Sequence, residues 1–176
     1  RGGCTKGYGP GAVDKDIMYS LRPNNIGVEA GRVQKGRVLL LSDIESGDDG
    51  IVFKSSYTLN KLGVCKDIHV WDCNVRSRCN ALKFGTETNG GFQNILLEDI
   101  RVFDVRISGI AIESVDGAVI DGITLRRISM VNVNAPIFIH LGQRMRGPAG
   151  RDIGTIRNVL LEDITADGPY AEYRII

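Results

Sequence analysis

The sequence has no long apolar run and no excess of one charge. No segment reaches the roughly 18 consecutive apolar residues needed to span a bilayer, and the start lacks the basic-then-apolar pattern of a secretion signal. Its 22 basic residues nearly balance 21 acidic ones, for a formal net charge of +1. We therefore predict no membrane span and no global field that would attract nucleic acid or an anionic membrane.

Paired cysteines are also missing. The 4 cysteines form no C-x-x-C pair and are too sparse for a disulfide scaffold. Acidic residues are too dispersed for a calcium cage. We expect neither a metal nor another cofactor. The chain starts at Arg1 without methionine and ends on Ile175-Ile176, so we expect a processed or partial chain, which leaves secretion open.

What the sequence does contain is an internal repeat. Five copies of one apolar pattern recur, and their anchor residues are spaced by roughly 27 to 29 residues, except for a longer last interval. The anchors are Ile44, Cys73, Ile100, Ile128 and Ile164. Cys73 stands where the other copies have Ile, so we expect it to be a buried small apolar residue. Asn residues near the turns, such as Asn94 and Asn158, are interpreted as structural, because Asn tolerates left-handed backbone.

A second short run with period-two alternation follows most copies, as in Ile51-Val52-Phe53 and Leu82-Lys83-Phe84. One such turn cannot bury its apolar face alone, but stacked turns form a continuous core. We therefore predict an all-β, right-handed parallel β-helix of about five turns over residues 37–176. Residues 1–36 show no convincing alternation and are predicted to be an irregular N-terminal segment.

This fold makes specific predictions about side chains and ends. We expect ten apolar side chains to point inward: Leu41, Ile44, Ile51, Phe53, Phe84, Ile100, Ile112, Ile128, Ile139 and Ile164. The segment 142–154 is predicted to be a loop at one edge. A solenoid with uncapped ends exposes strand edges that template association, so self-association is expected.

In-register stacking also predicts two outward ladders along the second strands. The first contains Val52, Lys83, Ala111 and Phe138, and the second contains Lys54, Gly85, Glu113 and His140. The turn before the first strand carries Asp48 and Asp49. Inverting glycoside hydrolysis needs one protonated carboxyl group and one ionised one, and adjacent carboxylates repel in a way that separates their proton affinities. The alternative is that both are ordinary turn residues.

The segment 46–55, Ser-Gly-Asp-Asp-Gly-Ile-Val-Phe-Lys-Ser, resembles the Gly-Asp-Asp-x-Ile-x-x-Lys-Ser signature of glycoside hydrolase family 28, the polygalacturonases and their relatives. Segments 80–91 and 136–142 also look like that family. The resemblance implies a β-helix that hydrolyses pectin-type polysaccharide with inversion and without a metal. It implies that Asp48 is the proton donor and that Asp49 is part of the base. A secreted or periplasmic location is implied by the family alone.

The sequence departs from the family at three motifs. Near Asn25, where an Asn-Thr-Asp motif is expected, there is no Asp, so the second base is missing. Asn80 stands in place of the histidine of a Gly-His-Gly motif. Ala111-Ile112-Glu113 replaces the Arg-Ile-Lys motif that grips a uronate carboxylate. The predicted substrate-binding residues are Lys54, Asn80, Lys83, Glu113, His140 and Arg144.

We therefore expect a hydrolase of the polygalacturonase type that acts on a pectic or related acidic polysaccharide. A non-catalytic β-helix, either binding carbohydrate or purely structural, is the second interpretation, and the three departures favour it. A lyase or epimerase on the same solenoid is the third, although the dispersed acids argue against its usual calcium. Fold alone does not choose among them.

Overall fold

The computed structural model describes residues 18–22, 25–29, 42–58, 60–144, 146–148 and 152–169. These residues form strands, turns and bends without a helix, so the described part of the chain has no helix long and apolar enough to cross a membrane. The strands are β1 Met18–Arg22, β2 Asn25–Glu29, β3 Ser42–Ser46, β4 Ile51–Ser55, β5 Tyr57–Thr58, β6 Lys61–Leu62, β7 Cys65–Ser77, β8 Asn80–Thr88, β9 Phe92–Ser114, β10 Val119–Leu141 and β11 Thr155–Pro169.

The long strands stack in parallel as a β-solenoid of about three turns. The first part of β9 pairs with β7, and its second part pairs with β8, so one strand bends from one sheet into the next. Equivalent residues of successive repeats lie in register: Ile68 opposite Ile95, and Ile95 opposite Ile123. The predicted all-β fold of stacked parallel turns is confirmed at this level.

The bends between sheets are made by residues in the left-handed backbone region. One column of such residues contains Asp67, Asn94 and Asn158, with φ between 51° and 58°. Short polar side chains tolerate this conformation because they bond neighbouring groups locally. The Asn94 side-chain amide donates to Asp67 on the preceding turn at 2.7 Å. The structural interpretation of the turn asparagines is therefore confirmed here.

The solenoid encloses a dry apolar core. Ile44, Ile51, Phe53, Phe84, Ile100, Ile112 and Ile128 are buried as predicted, and so is Cys73. Phe53 stacks on Phe84 with ring centroids 4.6 Å apart, and Phe84 meets Phe92 edge-on at 5.7 Å. The three rings thus form a continuous aromatic cluster inside the stacked turns. This packing positions β4 and β8, the two strands that flank the candidate site.

Two of the predicted inward residues are less buried than the others, and a third lies outside the described residues. Ile139 is 51% exposed, because the second half of β10 pairs with β9 on one side and no described strand covers the other. Ile164 is half-buried and packs against the core. Leu41 is not among the described residues. Ile139 pairs in register with the fully buried Ile112, so it lies on the inward face as predicted, and it is exposed because it stands at an open end of the described solenoid.

Segment 1–36, predicted to be irregular, contains two strands among its described residues. β1 and β2 pair antiparallel, and β2 then pairs parallel with β4, with Val28 opposite Phe53. Strand β2 therefore continues the sheet that carries the candidate site. Asn25–Glu29 does alternate, with apolar Ile26 and Val28 at every second place, and this short strand signal was missed by the prediction. The domain boundary at residue 37 stays a prediction.

Candidate functional site

The two adjacent aspartates lie in the turn between two sheets. Strand β3 ends at Ser46 and β4 begins at Ile51, so Asp48 and Asp49 are presented at the edge of β4. The backbone NH of Asp48 donates to Ser46 Oγ at 3.1 Å. A Cβ on Gly50 would lie 2.6 Å from a Val75 methyl group, so the turn needs glycine there. Asp48 is half-buried, whereas Asp49 is only 6% exposed.

Asp49 is held by donors from the next turn. Its Oδ1 accepts a hydrogen bond from the Asn80 side chain at 2.7 Å and a longer one from the Asn80 backbone NH at 3.3 Å. Its Oδ2 lies 3.2 Å from Lys83 Nζ. Asn80, which stands where the related family has histidine, is therefore a positioning donor for Asp49. All three contacts are donors, which is the environment of a carboxylate.

Lys83 joins three turns of the solenoid. Its ammonium lies between Asp49 and Glu113 Oε1, which is 3.7 Å away. Burial lowers the pKa of Lys83, but the charges of Asp49 and Glu113 outweigh it and leave the pKa above its usual value. The three side chains are only 9–14% exposed. The sequence-based prediction that these residues lie together is confirmed.

Lys54 lies further along β4 and is bound to Glu87. The two side chains form an ion pair, with Lys54 only 10% exposed. Burial raises the pKa of Glu87, but the hydrogen bond and charge of Lys54 outweigh it, so the pKa is lowered overall. The charge of Lys54 is thus already neutralised within the chain, and its role in substrate binding stays a prediction.

Arg144 anchors the loop after β10 through contacts within the chain. It forms a two-pronged ion pair with Asp116, whose side chain is fully buried, and donates to Thr86 Oγ1 at 2.8 Å and to Thr86 O at 3.0 Å. The segment predicted to be an edge loop is therefore tied to the β8 end through this arginine. Its predicted role in substrate binding stays a prediction.

His140 lies on the outermost described rung. It pairs in register with Glu113, is exposed, and its ring centroid lies 5.9 Å from that of Phe138. The first predicted ladder has the expected register, and in the second ladder Glu113 pairs with His140 as expected. Val52 and Ala111 of the first ladder are nevertheless fully buried, so that ladder is less open than the sequence predicted.

Cys79 adds a thiol beside the aspartates. Burial, together with the charge of Asp48 and a hydrogen bond to it, raises the pKa of Cys79 to about 11. The thiol is therefore protonated at neutral pH and is a poor nucleophile. It acts as a neighbour of Asp48 and not as a reactive group.

Sequence reasoning missed the carboxylates that neutralise two of the predicted substrate-binding cations. Glu87 pairs with Lys54, and Asp116 pairs with Arg144. Asp116 precedes Arg144 by 28 residues, close to one repeat period, so alignment of acidic and basic residues at that spacing would have indicated the pair. Glu87 had no comparable signal, because the strand register shifts between Phe53 and Ser55.

Within the described residues no group of three or more His, Cys, Asp or Glu side chains is placed to hold a metal ion. Comparison with models of known protein families, with curated proteins and with solved structures finds no significant match. The chemistry of the site must therefore be argued from its residues. Asp49 and Glu113 both lie within 4 Å of one ammonium, and Asp48 precedes Asp49 in the same turn, an arrangement suited to general acid–base chemistry.

Proposed function

We propose that the chain is a glycoside hydrolase of the polygalacturonase type that cleaves a pectin-type polysaccharide with inversion. The observation that carries the proposal is the turn with adjacent Asp48 and Asp49, in which Asp49 contacts Lys83 of the next turn and Lys83 in turn contacts Glu113 of the turn after that. We further propose that the stacked strands form a right-handed coil, because parallel β crossovers almost always have that hand. We also propose that the coil has about five turns over residues 37–170.

In the proposed reaction Asp48, the more exposed aspartate, donates its proton to the glycosidic oxygen as the bond from that oxygen to the anomeric carbon breaks. Asp49 removes a proton from the water whose oxygen forms the new bond to that carbon. Asn80 and Lys83 fix the orientation of Asp49 for this step. Atoms and charge balance, because one proton is given and one is taken.

A non-catalytic β-helix is the second candidate, and one observation favours it. Asp49 is 6% exposed and already bound by Asn80 and Lys83, as a purely structural aspartate would be. Under this proposal the same surface binds carbohydrate without cleaving it, or only packs. The two candidates differ in whether new reducing ends appear.

The test is reducing-end release from pectins, rhamnogalacturonans and neutral glycans. Asp48→Asn and Asp49→Asn are each expected to lower the rate by about 10²- to 10⁴-fold, as loss of general acid–base catalysis does. Asp104→Asn is the matched control, since this 55% exposed carboxylate lies at a corner of another sheet. Equal rates for wild type and Asp48→Asn would refute the assignment. Binding without cleavage by the wild type would favour the second candidate.

A further inference from the structure

The two lysines and the arginine predicted to bind substrate are all engaged by carboxylates of the chain itself. Lys54 is paired with Glu87, and Arg144 is paired with the buried Asp116. Lys83 is shared between Asp49 and Glu113. Of the basic residues among those predicted to bind substrate, His140 has no ion pair among those found in the described part of the chain, and it lies on the outermost described strand of that ladder.

The charge that remains at the site is negative. Once the two complete pairs are set aside, and with Asp48 carrying the proton that it donates, the carboxylates of Asp49 and Glu113 lie near the single ammonium of Lys83, a formal charge of −1. The side chains of Asp49, Lys83 and Glu113 are at most 14% exposed, so water screens them less than it screens surface charges. A sugar that carries its own carboxylate would enter against this field.

We propose that the site takes an uncharged pyranose, such as a methyl-esterified uronate or a neutral hexose, and discriminates against a free uronate. This inference rests on the proposed hydrolase function and specifies its substrate. Like charges within several ångströms in a partly dry site repel by enough to change binding at least about tenfold. Glu113 is the main discriminating residue, because it lies on the turn beyond Lys83 and the other cation that acts on it, Arg144, is already ion-paired with Asp116.

The test uses one polymer in two charge states. Homogalacturonan of high methyl esterification and the same preparation after alkaline de-esterification share their linkage and length distribution, provided that mild cold saponification avoids chain cleavage. Rates of reducing-end release and affinities by gel-retardation electrophoresis are measured at low and high salt. The esterified form is expected to react and bind at least roughly tenfold better at low salt, and salt should narrow the difference by screening.

A variant that removes one charge tests whether Glu113 causes the preference for the esterified polymer. Glu113→Gln keeps the shape of the side chain and removes one negative charge, so it should reduce the preference for the esterified polymer severalfold. Glu162→Gln, which changes an exposed residue of β11, is the matched control and should leave the preference unchanged. If the Glu113→Gln variant does not fold, the salt series on wild type still tests the inference.

The outcomes separate this inference from the function on which it rests. Cleavage with a preference for the de-esterified polymer would overturn the inference and leave the hydrolase proposal standing. Tighter binding of the esterified polymer without any cleavage would support the inference and remove the hydrolase proposal. Binding of neither polymer would overturn the inference as well as the proposed pectin-type substrate.

Discussion

Replacing Lys83 by methionine would remove the ammonium that lies between Asp49 and Glu113. With Lys83 Nζ 3.2 Å from one carboxylate and 3.7 Å from the other, the two carboxylates are no more than about 7 Å apart and repel by about 2 kcal/mol at an effective dielectric constant of 20. Breaking a largely buried ion pair costs about 3–5 kcal/mol. We expect Lys83→Met to lower the free energy of unfolding by about 3 kcal/mol.

The assay is urea denaturation at neutral pH. The urea midpoints of wild type and variant are compared, provided that both unfold with the same dependence of free energy on urea concentration. The double variant Lys83→Met/Glu113→Gln should recover about 2 kcal/mol of the loss, because it removes the repulsion that the single variant leaves. Lys61→Met, which changes an exposed lysine of β6, is the control and should be nearly neutral. A loss below about 1 kcal/mol for Lys83→Met, or no recovery in the double variant, would refute the reasoning.

The raised pKa of Lys83 determines how the stabilisation by this ammonium depends on pH. Burial lowers this pKa, but Asp49 and Glu113 more than compensate, so the folded-state pKa is above the unfolded one. The stabilisation is therefore complete below the unfolded pKa and is lost as pH rises through the folded pKa. The difference in stability between wild type and Lys83→Met should accordingly shrink only in strongly alkaline solution.

Three further predictions concern the core, the thiol and the open end. Phe84→Ala should cost about 3–5 kcal/mol in urea denaturation, because the fully buried ring stacks on Phe53, and a cost below about 1 kcal/mol would contradict the stack. Cys79 should be alkylated slowly at pH 8, as followed by peptide mass spectrometry. Asp48→Asn should speed this alkylation by lowering the pKa of the thiol, and an unchanged rate would contradict the contact between Cys79 and Asp48. Self-association through the exposed edge of β10 should appear in light scattering and decrease in Ile139→Lys, and a monodisperse monomer would contradict it.

Much of the fold could be predicted because the period of the sequence repeat equals the number of residues in one turn of a solenoid. The repeat anchors gave the register, which brings Lys83 opposite Ala111 and His140 opposite Glu113 in the structure. Alternation in the second strands identified Ile51 and Phe53 as core residues, since side chains on a strand alternate between faces. Periodicity thus determined which residues are neighbours across turns.

Periodicity could not predict how exposed those neighbours are or which partners they choose. Val52 and Ala111 have the parity of outward residues but are buried, since exposure depends on the lengths of adjacent side chains as well as on strand parity. Lys54 and Arg144 were predicted to meet substrate, yet Glu87 and Asp116 bind them. Ion pairing depends on side-chain reach from bends and bulges, which a repeat pattern does not encode.

We propose that Asp48 and Asp49 are the acid and the base of an inverting hydrolase. Proton NMR of methyl-esterified oligogalacturonide during incubation with the protein tests this proposal, because new reducing ends appear with a definite anomeric configuration before they mutarotate. We expect reducing ends of the configuration opposite to that of the cleaved linkage, and their near disappearance with Asp48→Asn. Reducing ends of retained configuration, or none at all from wild type across pectic and neutral oligosaccharides, would contradict it.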